Sequence, residues 1–122
     1  MVECLNEVRI IGNVGRDPVL GTAKNGRKYL RFSVATNFFY KDKKGDWQEA
    51  TEWHRCVAWG RTAEKLGGSL VTGSRVFVSG ELKNTSWATG EGELKEAQQI
   101  QVVRAFILDG NGAKKAKVEE AS

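Results

Sequence analysis

The sequence predicts an all-β domain that closes into a five-stranded barrel with one short helix. Five segments alternate apolar and polar residues with period two, which is typical of half-buried strands. Glycines separate these segments, and only one stretch has a helical composition. The length of 122 residues suits one domain. A sandwich usually needs about seven strands, so five strands and a helix favour a barrel.

The elements follow one another in the order of three strands, a helix and two strands. The helix is expected at residues 62–71, with Thr62 at its N-cap, between the third and fourth strands. Gly67 and Gly68 inside it each cost about 1 kcal/mol relative to Ala, so this helix should be short or broken. The predicted strands cover residues 7–14, 29–35, 51–59, 75–83 and 99–108.

Long connections are expected at residues 15–28, 38–49 and 84–96, as hairpin loops with a functional or mobile role. The folded domain is predicted to cover residues 1–109. Residues 110–122 are small, charged and aperiodic, which is typical of a disordered tail.

Charge is concentrated in one part of the chain. The net charge is +4, but residues 24–44 carry seven basic residues against the single acid Asp42. Such a stripe attracts polyanions, and Lys24 and Lys28 are candidate phosphate contacts within it, although a solvated basic surface is the alternative. The basic residues are Lys24, Arg27, Lys28, Arg31, Lys41, Lys43 and Lys44.

An enzyme is not expected, and neither is a metal, a cofactor or a membrane span. His54 is the single histidine, Cys4 and Cys56 stand apart, and the longest apolar run is residues 105–108. No nucleotide-binding or nucleophile-elbow motif occurs in a suitable strand-to-helix setting. In a strand His54 and Cys56 share one face, which favours a half-buried histidine beside a core cysteine. The chain is expected to be reduced and intracellular, with no signal peptide in the sequence.

The third predicted strand carries the strongest functional signal. Alternation places Trp53, Arg55, Val57 and Trp59 on the face opposite the barrel interior. Exposed tryptophans stack on nucleic-acid bases, at about 1–3 kcal/mol per base, and arginine binds the phosphates between them. A single tryptophan in this setting could also be a half-buried core residue.

Further aromatic residues lie in the predicted loops. Tyr40 follows two phenylalanines and precedes a lysine run, and Trp87 lies in the last long connection. A loop tryptophan has little core to enter, so a binding or subunit-contact role is favoured. Trp47 lies near Asp46 and Glu49, an acidic context from which we expect the smallest contribution to binding.

These residues resemble the bacterial-type single-stranded DNA-binding proteins, an OB-fold family of five-stranded Greek-key barrels. The resemblance runs from about Asn6 to Leu108, in order and with the spacing of the family. The matching blocks are residues 6–18 (NEVRIIGNVGRDP), 32–36 (FSVAT), 51–55 (TEWHR), 59–64 (WGRTAE), 73–82 (GSRVFVSGEL) and Trp87.

The resemblance implies a role for individual residues. The base-stacking positions would be Tyr40, Trp53, Trp59 and Trp87. The backbone contacts would be Arg55, Arg61, Lys83, Lys41, Lys43 and Lys44. His54 would lie at a subunit contact of a homotetramer. The implied function is to coat and protect exposed single-stranded DNA in replication, recombination and repair, largely without sequence preference, in the cytoplasm at the nucleoid.

One departure from the family concerns the C-terminus. Bacterial members usually end in an acidic tip that recruits other proteins, whereas this sequence ends KVEEAS. Recruitment through such a tip is therefore not expected. Two explanations of the missing tip remain open. The chain is truncated, or it is a plasmid, phage or organelle-like member of the family. An organelle-like member would be located in an organelle matrix. Two other functions also remain open, an RNA-binding OB protein and a scaffold of the same fold with a protein partner.

Overall fold

A computed structural model describes residues 3–108 and confirms the all-β barrel with one short helix. The predicted tail lies outside the described residues. Six strands occur instead of about five, because a short additional strand occupies part of the first predicted loop. The elements are β1 (Val8–Val14), β2 (Val19–Thr22), β3 (Lys28–Lys41), β4 (Trp47–Trp59), α1 (Gly60–Gly67), β5 (Arg75–Ala88) and β6 (Leu94–Ile107).

Five strands form a closed ring. The sheet order is β1-β5-β6-β4-β3-β2, and β1 also pairs with β3, so the ring closes and β2 extends it beside β3. The pairs are antiparallel except β4 with β6, which run parallel at Cys56↔Ile100 and Val57↔Gln101. Because the ring is closed, each of its five strands has a hydrogen-bonded neighbouring strand on both sides, and none is a free sheet edge.

The interior is filled by apolar side chains from alternate strand positions, as the period-two pattern predicts. Gly12 and Gly80 lie where strands approach closely, since a Cβ at either position would collide with a backbone carbonyl of the neighbouring strand. A side chain at either position would therefore force neighbouring strands of the barrel apart. The buried apolar cluster comprises Val14, Leu30, Phe32, Val34, Cys56, Ala58, Ala63, Leu66, Leu70, Val76, Val78, Ile100 and Val102.

The helix differs from its predicted bounds and cap. It covers Gly60–Gly67 rather than residues 62–71, and its N-cap is Trp59 with no side-chain hydrogen bond. Gly60 has a φ of 61°, which lets the chain turn from β4 directly into the helix, so Thr62 does not cap it. Ala63 and Leu66 bury one face against the barrel. Among residues 3–108, no helix is long and apolar enough to cross a membrane.

The predicted long loops are hairpin arms rather than irregular loops. β3 and β4 pair without interruption from Tyr29↔Trp59 to Lys41↔Trp47, and β5 and β6 pair out to Ala88↔Leu94. The turns are short: Asp42 N–H donates to the Asp46 carbonyl at 2.9 Å, and Gly45 adopts a φ of 86°. These arms extend beyond the core, so they are held by backbone hydrogen bonds and their apolar side chains are exposed rather than buried on one face.

Candidate nucleic-acid interface

The outer face of β4 carries the residues that alternation predicts there. Trp53 is 59% exposed, Arg55 is exposed and Trp59 is half-buried. The uninterrupted register between β3 and β4 keeps these side chains on one face. Val57 differs from the expectation of an exposed residue, since it is only 8% exposed. It lies where β6 pairs with β4, at the bottom of a groove.

Trp53 and Trp87 line one cleft. This concavity has a volume of about 600 Å³ and also contains Arg55, His54 and Lys95. Trp87 is 46% exposed on β5 and pairs across the hairpin with Lys95 of β6. The β5–β6 arm thus faces the outer side of β4, which brings together two tryptophans from distant parts of the sequence.

A second groove lies beside this cleft, towards Trp59. It has a volume of about 480 Å³ and contains Trp59, Val57 and Lys83. Gln99 lines both concavities, so they form one continuous surface. We call this surface the β4 groove. Its main residues are Trp53, Arg55, Val57, Trp59, Lys83 and Trp87.

Sequence reasoning missed the β3 side of this groove. Tyr29 lies opposite Trp59, with ring centroids 5.7 Å apart. The Arg27 guanidinium lies 5.1 Å from the Trp59 ring centroid, and that of Arg31 lies 5.2 Å from the Tyr29 ring centroid. These cation–π contacts add arginines to the groove. The strand pattern contained Tyr29, but only the β3–β4 register shows that it faces Trp59.

Tyr40 is not brought together with Trp53. Tyr40 pairs with Gln48, and paired residues share one face of the hairpin. Side chains alternate along β4, so Gln48 lies on the face opposite Trp53 and Tyr40 points to that opposite face too. There its ring centroid lies 6.2 Å from that of Phe38. The two aromatic rings form a separate exposed pair near the hairpin end.

The predicted phosphate contacts are spread over several surfaces. Arg55 and Lys83 lie in the β4 groove, whereas Arg61 lines a separate concavity of about 390 Å³ with Lys65 and Arg104. Lys28 Nζ donates a hydrogen bond of 3.0 Å to Thr22 Oγ1. The remaining members are exposed on or near hairpin ends: Lys24, Lys41, Lys43 and Lys44.

His54 and Cys56 have structural roles and do not form a nucleophile with its base. His54 Nε2 is 2.9 Å from Thr36 Oγ1, in a partly buried contact between β4 and β3. Burial raises the pKa of the Cys56 thiol to about 12, so it stays protonated at neutral pH. Within residues 3–108, no three His, Cys, Asp or Glu side chains are grouped to hold a metal ion.

The closed five-stranded barrel is a fold of the OB class, and its groove combines exposed aromatic rings with cationic side chains. A family model described as "Single-strand binding protein family" matches residues 5–108, and the chain belongs to that family. Family membership agrees with the expectation of a binding protein rather than an enzyme.

Relatives and solved structures support the same assignment. The chain is 39% identical over 101 residues to single-stranded DNA-binding protein 1 of Chlorobaculum tepidum, covering 82% of this chain and 62% of that protein. It is 39% identical over 105 residues to single-stranded DNA-binding protein 1 of Xylella fastidiosa, covering 85% and 77%. It thus spans about three fifths of the length of the first relative.

The fold matches a structure titled "Plasmodium falciparum SSB complex with ssDNA" with a TM-score of 0.80 and 30% identity, over 89% of this chain and 99% of that one. A deletion mutant of the single-stranded DNA-binding protein from Thermus aquaticus matches with a TM-score of 0.75 and 29% identity, over 88% and 52%.

Proposed function

We propose that this protein binds single-stranded DNA in the β4 groove. The observation that carries the proposal is the cleft in which two exposed tryptophans, Trp53 and Trp87, lie together with Arg55. Bases of a single strand stack on the tryptophan rings, and the guanidinium binds the phosphates that connect them. Stacking uses the flat face that every base has, so binding is largely independent of sequence.

The groove holds a strand at several points. Trp53 and Trp59 are six residues apart on one face of β4, a separation of about 20 Å at the usual strand rise. Lys83 and Arg31 line the same groove as Trp59 and would supply positive charge along the DNA backbone. The binding energy therefore divides into a stacking part, which responds to aromatic substitutions, and an electrostatic part, which responds to salt.

DNA is proposed over RNA because the relatives are named for single-stranded DNA and one structural match is a complex with it. Competition among single-stranded DNA, RNA and duplex DNA of equal length and base composition tests this choice. We expect single-stranded DNA to displace a labelled oligo-dT at the lowest concentration. Equal or better displacement by RNA would favour the RNA-binding alternative, and failure of the labelled oligo-dT itself to bind would favour a protein scaffold.

The proposed assembly is a homotetramer. An apolar row supports it, in which Ile11, Phe77 and Phe106 lie side by side on the outer face of β1, β5 and β6. The rings of Phe77 and Phe106 stack with centroids 6.1 Å apart, and Ile11 and Phe106 are half-exposed. Light scattering is expected to give about four times 13.5 kDa. A monomer or a dimer would contradict the proposal.

The proposed cellular role is to coat exposed single strands during replication, recombination and repair, at the nucleoid of a bacterial cytoplasm. The bacterial relatives support this role. Expression in cells depleted of their own single-stranded DNA-binding protein tests it: growth should be restored by the parent chain and not by a Trp53→Ala, Trp87→Ala variant.

A further inference from the structure

Two exposed aromatic side chains at the β3–β4 hairpin end have no role in the β4 groove. Phe39 is 66% exposed and Trp47 is 67% exposed. The register pairs Lys41 with Trp47, and Lys41 Nζ lies 5.4 Å from the Trp47 ring centroid. Alternation places all three on the outer face of the hairpin, the face that also carries Trp53.

Two of the acidic residues near Trp47 in the sequence, Asp42 and Asp46, do not share this face with it. The Asp42 N–H donates to the Asp46 carbonyl, so the ladder continues one step beyond Trp47 and both aspartates lie on the opposite face. The Asp42 carboxylate accepts hydrogen bonds from the backbone N–H groups of Lys44 and Asp46. These bonds, that from Asp46 foremost, lower the pKa of Asp42.

The charge beside the ring is therefore positive. Glu49 shares the outer face, but its cross-strand partner is Phe39, whereas the ammonium group of Lys41 contacts the Trp47 ring itself. Of the acidic context that the sequence indicates for Trp47, Asp46 points away from the ring and Glu49 remains on the same face.

We propose that Phe39, Lys41 and Trp47 form a second stacking site for single-stranded DNA, continuous with the β4 groove. The inference rests on the proposed function and extends it to the hairpin end. Trp47 lies six residues from Trp53 on the same face of β4, a further step of about 20 Å along the row that begins at Trp59. Lys41 covers one face of the Trp47 ring, so a base stacks on the other and its phosphate meets the ammonium group.

Charge complementarity favours DNA over a second copy of this chain as the occupant. The aromatic pair is joined by Lys41 and by Lys43 and Lys44 at the adjoining turn, all of them exposed. A second copy would bring the same basic hairpin against itself, whereas a phosphate backbone neutralises it.

A single-tryptophan variant tests the contact directly. Replacing Trp53, Trp59 and Trp87 by Phe leaves Trp47 as the only one of the four tryptophans. An oligo-dT of about 16 nucleotides, near the upper site size for one OB fold, should quench its emission. A companion variant that retains only Trp53 should also be quenched. If DNA quenches Trp53 in the companion variant but not Trp47, the hairpin site is wrong. It is also wrong if the Trp47 emission shifts with protein concentration in the absence of DNA, since that shift would indicate contact with a second copy of this chain.

Affinity gives a second measurement, with a matched control on the same hairpin. Trp47→Ala should weaken binding of the 16-nucleotide strand about five- to tenfold, the lower end of the stacking range because one ring face is already covered. A strand of about 5 nucleotides, held by the central groove, should bind as it does to the parent. Trp47→Phe should recover most of the loss, and Phe38→Ala, on the opposite face, should cause none.

Failure of this inference is distinguishable from failure of the proposed function. If Trp53→Ala weakens binding and Trp47→Ala does not, the groove binds DNA and the hairpin site is wrong. If neither variant loses affinity while both stay folded, stacking in the β4 groove is itself wrong. Equal loss of both strand lengths in Trp47→Ala would also contradict a separate hairpin site.

Discussion

Tyr29 and Trp59 face each other across β3 and β4, with ring centroids 5.7 Å apart and planes inclined at 58°. The Arg27 guanidinium lies against the Trp59 ring as well. The indole is thus held by one aromatic and one cationic neighbour before any DNA arrives. Such preorganisation reduces the conformational entropy that binding would otherwise cost.

Removing this support should weaken binding even though Tyr29 was not identified by sequence reasoning. We expect Tyr29→Ala to cost about 0.5–1.5 kcal/mol of oligo-dT binding, the usual value of an aromatic pair. Tyr29→Phe retains the ring and should bind like the parent. Fluorescence titration measures the effect, and an unchanged melting temperature in both variants separates it from unfolding. A parent-like affinity for Tyr29→Ala would show that Trp59 needs no support.

The two cleft tryptophans should contribute through stacking rather than charge. Trp53→Ala and Trp87→Ala are each expected to weaken oligo-dT binding by about 1–3 kcal/mol. The slope of log K against log salt should hardly change, because neither substitution removes a phosphate contact. A folded double variant that binds like the parent would leave charge as the sole source of affinity.

Lys83 should behave in the opposite way. Lys83→Ala removes a positive charge from the β4 groove, so the magnitude of the salt slope should fall by about 0.7, the value for one phosphate of a single strand. Saturating oligo-dT should still quench the tryptophan emission. Lys83→Arg retains the charge and serves as the matched control. An unchanged slope in Lys83→Ala would place the phosphates elsewhere.

Cys56 should make stability depend on alkaline pH. Burial raises the pKa of this thiol from its ordinary value of 9.0 to about 12, so the unfolded chain loses the proton first as pH rises. Stability from this group is therefore complete below about pH 9 and falls by up to about 4 kcal/mol as pH approaches 12. Urea unfolding of the parent and of Cys56→Ala over this range measures the difference, and the variant should show the smaller decline. Parallel declines would contradict the burial of the thiol.

Alternation was sufficient to predict the barrel interior and the outer face of β4, because the buried side is apolar at most positions. It could not show register. Only the pairing of β3 with β4 places Tyr29 beside Trp59 and turns Tyr40 away from Trp53. Nor could it show the hairpin arms, such as residues 84–88, which resemble loops because both faces are exposed to solvent and the backbone ladder alone holds them.

The helix bounds show a similar limit. Thr62 has the side chain of an N-cap residue, yet the positive φ of Gly60 starts the helix two residues earlier. The positive φ that Gly60 adopts outweighed the preference of Thr62 for an N-cap position, and the sequence alone does not show which of the two sets the start of the helix.

The short ladders that complete the ring have a consequence for how the chain folds. The β3–β4 and β5–β6 hairpins join neighbouring segments, so each can form with little loop-closure entropy. The ring is completed by three ladders between distant segments: six residue pairs between β1 and β5, two between β1 and β3, and two between β4 and β6. These contacts span long stretches of chain, and such topologies fold in about milliseconds to seconds. The hairpins should therefore form before these distant ladders, and the seam between β4 and β6, which has only two residue pairs and lies under the groove at Val57, should open more readily than the six-pair β1–β5 ladder.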